Sequence, residues 1–337
     1  MNGLKLYCTL LPTMGHFARF ARDPRMTGIR LNTPMLSAAE LQREFELLAA
    51  VDPTAEMFFD VKGRQLRALE AIDAGDHLEL LINHPVEAPE GALVLFKAGG
   101  DSALLDKVTD DGCRLVFKGG PKWLVKPGES FHIVDPGFVQ HGDLFNDWEL
   151  ARIQSAKAAG FNKYLLSYTE SMRDVDRFQE LVGKDAQIWL KIENQKGLRF
   201  VEREFVKRDN LTLVAARGDL YVELRPPHLI LGALQLIISR DPEAVAGSRI
   251  LLSVVNEPLP SCADLSELAW LREIGYRQYM LCDELCLEES MLARAVNVFE
   301  AVANSYQPLA NRYQPAPGFL SRLVRGNGKQ PLSRATA

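Results

Sequence analysis

The chain has 337 residues, with 39 Lys and Arg against 44 Asp and Glu, a formal net charge of −5. That balance leaves no basic footprint for a nucleic-acid partner, and no apolar run reaches the ~18–20 residues of a bilayer span. Residues 1–5 lead straight into an apolar run, so no secretory leader is expected, and the five cysteines, none at metal spacing, read as reduced thiols of a cytoplasmic protein.

Apolar, β-branched-rich runs occur at 4–11, 28–31, 57–61, 164–167, 188–192, 211–215, 249–255 and 278–282. Most are followed by a stretch with helical periodicity, at 37–50, 143–159, 172–182, 196–206, 227–238, 262–274 and 287–304. Strand and helix in alternation predict a parallel sheet, and eight such units predict an α/β fold of the closed (β/α)8 or TIM-barrel type. A doubly wound open sheet is the alternative, but no Gly-rich phosphate turn follows the first run.

The third unit is interrupted. Residues 67–136 lack a helical pattern and carry short β-like runs at 77–82, 92–96, 114–117 and 130–133, separated by turn signals such as Gly99-Gly100-Asp101 and Lys126-Pro127-Gly128. This predicts a small β-rich module, 69–136, inserted in a barrel made of 1–68 and 137–321. At a strand-to-helix loop it would overhang the barrel mouth as a lid. Residues 322–337 are basic and poor in apolar side chains, which predicts a disordered tail.

Chemistry in such barrels sits at the C-terminal ends of the strands. Those ends carry Pro12 and Thr13, Arg30 and Asn32, Asp60 and Lys62, Ser167 and Glu170, Lys191 and Glu193, Arg217 and Asp219, Asn256 and Glu257, and Asp283 and Glu284. Glu193 and Asp219 fall at the tips of successive strands, with Lys191 two residues before the first. Two neighbouring carboxylates suit a hard divalent ion such as Mg2+ or Mn2+, which keeps open positions for substrate oxygens. Cations facing acids around one rim suit a small phosphorylated or carboxylated substrate. The six histidines form no catalytic constellation; only His16 lies near the expected mouth. Trp123 and Trp148 read as packing residues.

In order, these motifs resemble the pyruvate kinase family. The carriers are Cys8-Thr9-Leu10-Leu11-Pro12, Arg30-Leu31-Asn32, Asp60-Val61-Lys62-Gly63 through Arg67, Lys191-Ile192-Glu193-Asn194, and Ala216-Arg217-Gly218-Asp219-Leu220-Tyr221-Val222-Glu223. The last departs from the family's pattern at one position, where Tyr221 replaces Gly. Pro260 through Glu284 follows the register of the family's final strand and loop. The resemblance implies that Glu193 and Asp219 hold the divalent ion and that Lys191 assists phosphoryl movement. It further implies that the backbone at Ala216, Gly218 and Asp219 receives the substrate acid. Arg30 and Arg67 contact the nucleotide (ATP or ADP) or the transferred phosphate, Arg217 buttresses the sixth loop, and Lys126 is the lid lysine. Lys62 and Asn32 belong to the same substrate pocket.

The departures are also informative. Asn32 and Asp60 keep two positions of the family's monovalent-cation site, but Pro34 and Val61 replace its hydroxyl ligands and Gln65 replaces the accompanying Glu, so a K+ site of the usual kind is not expected. Ser253-Val254-Val255-Asn256, aligned with the family's Ala-Thr-Gln-Met, puts Val254 where a Thr lies over the carbon that is protonated. The chain stops about one helix past the eighth strand, short of the family's C-terminal regulatory domain, and the surface this exposes leads to an expected homodimer. Three readings follow: phosphoryl transfer between a phosphoenolpyruvate-type acid and a nucleotide, a metal-dependent aldolase or lyase acting on a 2-oxo acid enolate, and a catalytically silent barrel.

Overall fold

A computed structural model describes residues 3–308. Its centre is eight parallel strands closed into a barrel in sequential order: β1 (Lys5–Thr9), β2 (Gly28–Leu31), β3 (Glu56–Val61), β4 (Lys163–Leu166), β5 (Gln187–Ile192), β6 (Leu211–Ala216), β7 (Val245–Gly247) and β8 (Gln278–Met280). The two-residue period of a strand sorts their side chains. Leu6, Ile29, Phe59, Leu166, Leu190 and Leu213 face outward into one core with the surrounding helices. Tyr7, Phe58, Leu165, Trp189, Val214, Val245 and Met280 fill the barrel interior as a separate cluster. In the interior layer β2 contributes Gly28. A Cβ there would lie 2.9 Å from Tyr7 Cδ1 and 3.0 Å from Phe58 Cε2, so only glycine leaves room for both rings.

The same period dictates what comes next. Two residues beyond the interior layer the chain places a polar group on the same face: Phe58 leads to Asp60, Trp189 to Lys191, Gly28 to Arg30 and Tyr7 to Thr9. The apolar plug therefore ends in a polar layer at the C-terminal mouth. Helix caps set the direction of the chain as it leaves the sheet. Asn194, directly after Glu193, accepts the Gly197 N–H at 2.8 Å and starts the helix Gln195–Arg203, which fixes the turn that carries Glu193.

The seventh strand lies elsewhere than the sequence predicts. It is Val245–Gly247, and the 249–255 run ends in a 3-10 turn, Leu252–Val255. Ser248, Arg249 and Leu251 all take positive φ (65°, 56° and 54°), which stops the strand immediately. Ile250, Leu251 and Val254 are apolar because they are buried beneath the helices, not because they are extended.

The insertion between β3 and β4 forms antiparallel sheets with their own buried cluster, including Leu80, Val94, Phe96, Leu115, Phe117 and Phe131. One sheet pairs Ala68–Asp73, Leu78–Ile82, Arg114–Phe117 and Lys107–Thr109. A second pairs Phe131–Val134, Leu93–Phe96 and Asp101–Leu104. The tail expected at 322–337 lies outside the described residues. No helix among those described is long and apolar enough to cross a membrane.

Candidate active site

Within the mouth, β3 supplies the most tightly paired acid. Asp60 Oδ2 accepts from Arg30 Nε (2.8 Å) and Nη2 (2.5 Å) and from Lys62 Nζ (2.6 Å), with Lys191 Nζ at 3.9 Å. Burial alone would raise the Asp60 pKa, but Arg30, Lys191 and Lys62 outweigh it and hold the carboxyl far below its usual range. Arg30 also reaches Asp283 Oδ1 (2.9 Å), and Asn32 Nδ2 donates to Asp283 Oδ2 (2.5 Å). Lys62 Nζ completes the network with a 2.6 Å bond to Asn32 Oδ1. Desolvation pulls the Lys62 ammonium down to about 7, against the attraction of Asp60. Behind this rim the buried Glu149 carboxylate accepts the backbone N–H groups of Lys62 (3.0 Å) and Gly63 (2.8 Å), fixing a turn where Gly63 has φ +50°. Glu149 Oε2 has no hydrogen-bond partner, and burial pushes the carboxyl up to about 7.

The β5–β6 side is built differently. Lys191 Nζ donates to Ser167 Oγ (2.9 Å) and stands 2.9 Å from Glu193 Oε1. Glu193 Oε2 accepts the Tyr168 N–H at 2.6 Å, while Oε1 receives no donor in hydrogen-bond geometry. Glu193 is 1% exposed. Burial, with the Asp219 carboxylate close by, pushes its pKa up to about 7 against the pull of Lys191. β5 and β6 pair from Ile188 with Leu211 to Ile192 with Ala215, so the strand-end acid of one lies beside the helix Arg217–Glu223 that carries Asp219.

Two hard oxygen donors with an underused acceptor, open to a cavity, fit a divalent ion that keeps most of its positions for water and substrate. Among the described residues there is no cluster of three protein ligands. The cavity measures about 410 Å³ and brings together the residues expected to hold metal, phosphate and substrate acid: Arg30, Asn32, Lys62, Arg67, Lys191, Glu193, Ala216, Gly218 and Asp219. Arg67 donates to Gly128 O and to Gln65 Oε1 (2.5 Å); its Nε has no partner.

Other expectations are corrected. Val254 is buried off the mouth, because β7 ends seven residues earlier, at Gly247; Ser248 lines the cavity at the strand end, against Gly218. A hydroxyl therefore stands where the sequence alignment left a valine. The signal was present in Val245-Ala246-Gly247-Ser248, a run of small residues ending in a hydroxyl. Lys126 is exposed and off the cavity; the lid residues Lys97 and Ala98 line it instead. Trp123 is 62% exposed, not packed, whereas Trp148 stacks under the Arg152 guanidinium at 4.3 Å. Arg217 is buried against Glu267. His16 is buried, bonded to Cys286 O at 2.9 Å, and does not line the cavity.

Histidine does enter the site, through the insertion. His132, on the strand Phe131–Val134, places Nε2 at 3.3 Å from Asp219 Oδ1 and Nδ1 at 2.7 Å from Glu223 Oε1, with the Tyr168 hydroxyl 3.2 Å from Nδ1. Although burial opposes it, the two carboxylates raise the imidazole pKa to about 10. Asp219 is correspondingly held well below the carboxylate range. The partial signal in the sequence was Asp219 and Glu223, four residues apart on one helix face.

No protein-family model matches the chain. Among curated proteins it aligns with pyruvate kinase of Methanocaldococcus jannaschii, 23% identical over 250 residues, covering 72% of this chain and 54% of that protein. Pyruvate kinase 2 of Synechocystis sp. is 25% identical over 211 residues, covering 60% and 34%. Pyruvate kinase of Debaryomyces hansenii is 27% identical over 139 residues, covering 40% and 27%. The chain is related to the pyruvate kinases. It spans about half the length, or less, of these relatives.

Proposed function

We propose that this barrel carries out pyruvate-kinase-like phosphoryl transfer between a phosphoenolpyruvate-type acid and a nucleotide. The supporting observation is that Lys191 and Glu193, at the end of β5, and Asp219, in the helix after β6, share one cavity with Arg30 and Arg67. Glu193 and Asp219 would hold Mg2+ or Mn2+, which supplies positive charge to the acid's oxygens.

The remaining steps belong to the chain's own side chains. Lys191 Nζ, kept charged by Asp60 and Glu193 despite burial, would face the phosphoryl oxygens as they move from the enol oxygen to the nucleotide. Arg67, with no carboxylate at ion-pair distance among the described residues, would take charge on the nucleotide side, and Arg30 would do so while held by Asp60 and Asp283. The turn at Ala216–Asp219 would receive the acid's carboxylate. Ser248, beside Gly218, would relay a proton from cavity water to the enolate carbon once the phosphoryl group has left, its hydroxyl taking one proton from the water as it gives up its own. The module 69–136, contacting the mouth through His132, Lys97 and Ala98, would act as the lid.

The lyase reading drew its support from a missing hydroxyl at the seventh strand and from the lost monovalent-cation ligands; Ser248 answers the first, and the Lys62 ammonium, bonded to Asn32 and Asp60, stands at the second. The test is ATP formation from ADP and phosphoenolpyruvate in Mg2+. Lys191→Met and Asp219→Asn should each lower kcat at least ~100-fold, the range for losing one electrostatic group at a transition state. Wild-type protein that binds Mn2+ and oxalate but never yields ATP would sink the assignment.

A further inference from the structure

Two departures from the family's sequence pattern meet at the cavity rim. One is Tyr221, in the place of a Gly. The other is Arg249, which follows Ser248 and so falls, in the register that β7 adopts, where the family's Ala-Thr-Gln-Met has its Gln. The Arg249 guanidinium carbon lies 5.2 Å from the Tyr221 ring centroid, and Nη2 donates to the lid carbonyl of Ala98 at 3.4 Å. Among the described residues no carboxylate lies within ion-pair distance of Arg249, although it lines the cavity. Arg67 shares this condition on the nucleotide side, whereas Arg30, Lys62 and Lys191 all have acid partners.

Topology fixes where this free charge stands. In the closed order of the barrel, β7 is four strands from β3 in either direction, so Arg249 faces the Asp60–Lys62 edge from the opposite side. Ser248, the residue before it, packs against Gly218, so Arg249 borders the part of the cavity assigned above to the acid, not to the transferred phosphate.

We propose that Arg249, oriented by Tyr221, binds a second anionic group on the substrate acid, which makes the preferred substrate a dicarboxylic 2-oxo acid or its enol phosphate. This rests on the phosphoryl-transfer reading above. An arginine held over a ring and bonded to a backbone carbonyl presents its remaining N–H groups in a fork that matches a carboxylate.

The experiment is calorimetric binding to Mn2+-loaded protein of matched pairs: 2-oxobutyrate against oxaloacetate, and 2-oxopentanoate against 2-oxoglutarate. Oxalate, which reaches the metal and carries nothing further, is the control, and ADP is titrated in parallel. In the wild type, the dicarboxylic member of at least one pair should bind ~10-fold tighter or more, the range of one charge-assisted pair. Arg249→Gln should abolish that preference and leave oxalate unchanged; Arg249→Lys should keep part of it. Equal affinities within both pairs would overturn the inference, as would Arg249→Gln weakening oxalate equally or weakening ADP alone. Absence of oxalate binding would remove the underlying reading and the inference together.

Discussion

The two sides of the barrel mouth solve the same electrostatic problem in opposite ways. At β2 and β3 the chain buries cations and neutralises them internally: Asp60 serves Arg30 and Lys62 and lies near Lys191, and Asp283 serves Arg30 and Asn32. At β5 and β6 it brings carboxylates together and leaves them short of positive charge, with Lys191 and a histidine from the insertion as the available partners. The first edge is complete without a ligand. The second improves when a cation arrives. Buried charge without a partner is costly, so an underfilled acidic edge is a place to expect a bound ion.

Removing the anchor of the complete edge should produce the largest effect. Asp60→Ala strands three cations around one vacancy and should cost about 3–5 kcal/mol in urea unfolding; a loss below about 1 kcal/mol would show that the network is dispensable. Glu149, which holds the same edge from behind, should give the stability a pH slope. Its folded pKa, near 7, lies above the ordinary carboxylate value, so the folded state binds the proton more tightly. The stability from that proton is complete below about pH 4.5 and lost as pH rises through 7, a change of up to about 3 kcal/mol. Glu149→Gln should flatten the profile in that window, and an unaltered slope would assign the effect to another group.

On the incomplete edge the expected order is reversed, with binding changing more than folding. Glu193→Gln should weaken Mn2+ binding ~100-fold, about 2.7 kcal/mol, while the melting temperature stays level or rises because a strained buried carboxyl is gone. A melting temperature that fell with Mn2+ affinity intact would make Glu193 a structural residue like Asp60. The smallest effect belongs to His132→Ala. Loss of its bonds to Asp219 and Glu223 should cost about 1.5 kcal/mol and raise hydrogen exchange ~10-fold at residues 131–134. Unchanged exchange would mean that the insertion is held elsewhere.

How much of this the sequence carried follows the same division. Strand-end charges on the barrel were readable because eight strand–helix units put every strand end at one mouth, where an acid that alone would pass for a surface residue joins a ring, and Trp189-Leu190-Lys191-Ile192-Glu193 alternates in step with the inward face. β7 was not readable. Three small residues make a weak strand signal, and the stronger apolar run after them is buried as a turn. The His132 contact was hidden for a different reason: 87 residues separate it from Asp219, and only closure of the insertion onto the helix Arg217–Glu223 brings them together. The contact of Arg249 with Tyr221 likewise follows from the positive φ at Ser248, Arg249 and Leu251, which no local propensity announces.

Lys62 has one last consequence. Its ammonium sits 2.6 Å from both Asn32 Oδ1 and Asp60 Oδ2, the two oxygens that the family resemblance assigns to potassium. A tethered ammonium there, charged below about pH 7, cannot be washed out by dialysis or outcompeted by buffer salts. Turnover should therefore be indifferent to exchanging potassium for sodium or tetramethylammonium at constant ionic strength, and Lys62→Met should be the variant that acquires an appetite for potassium.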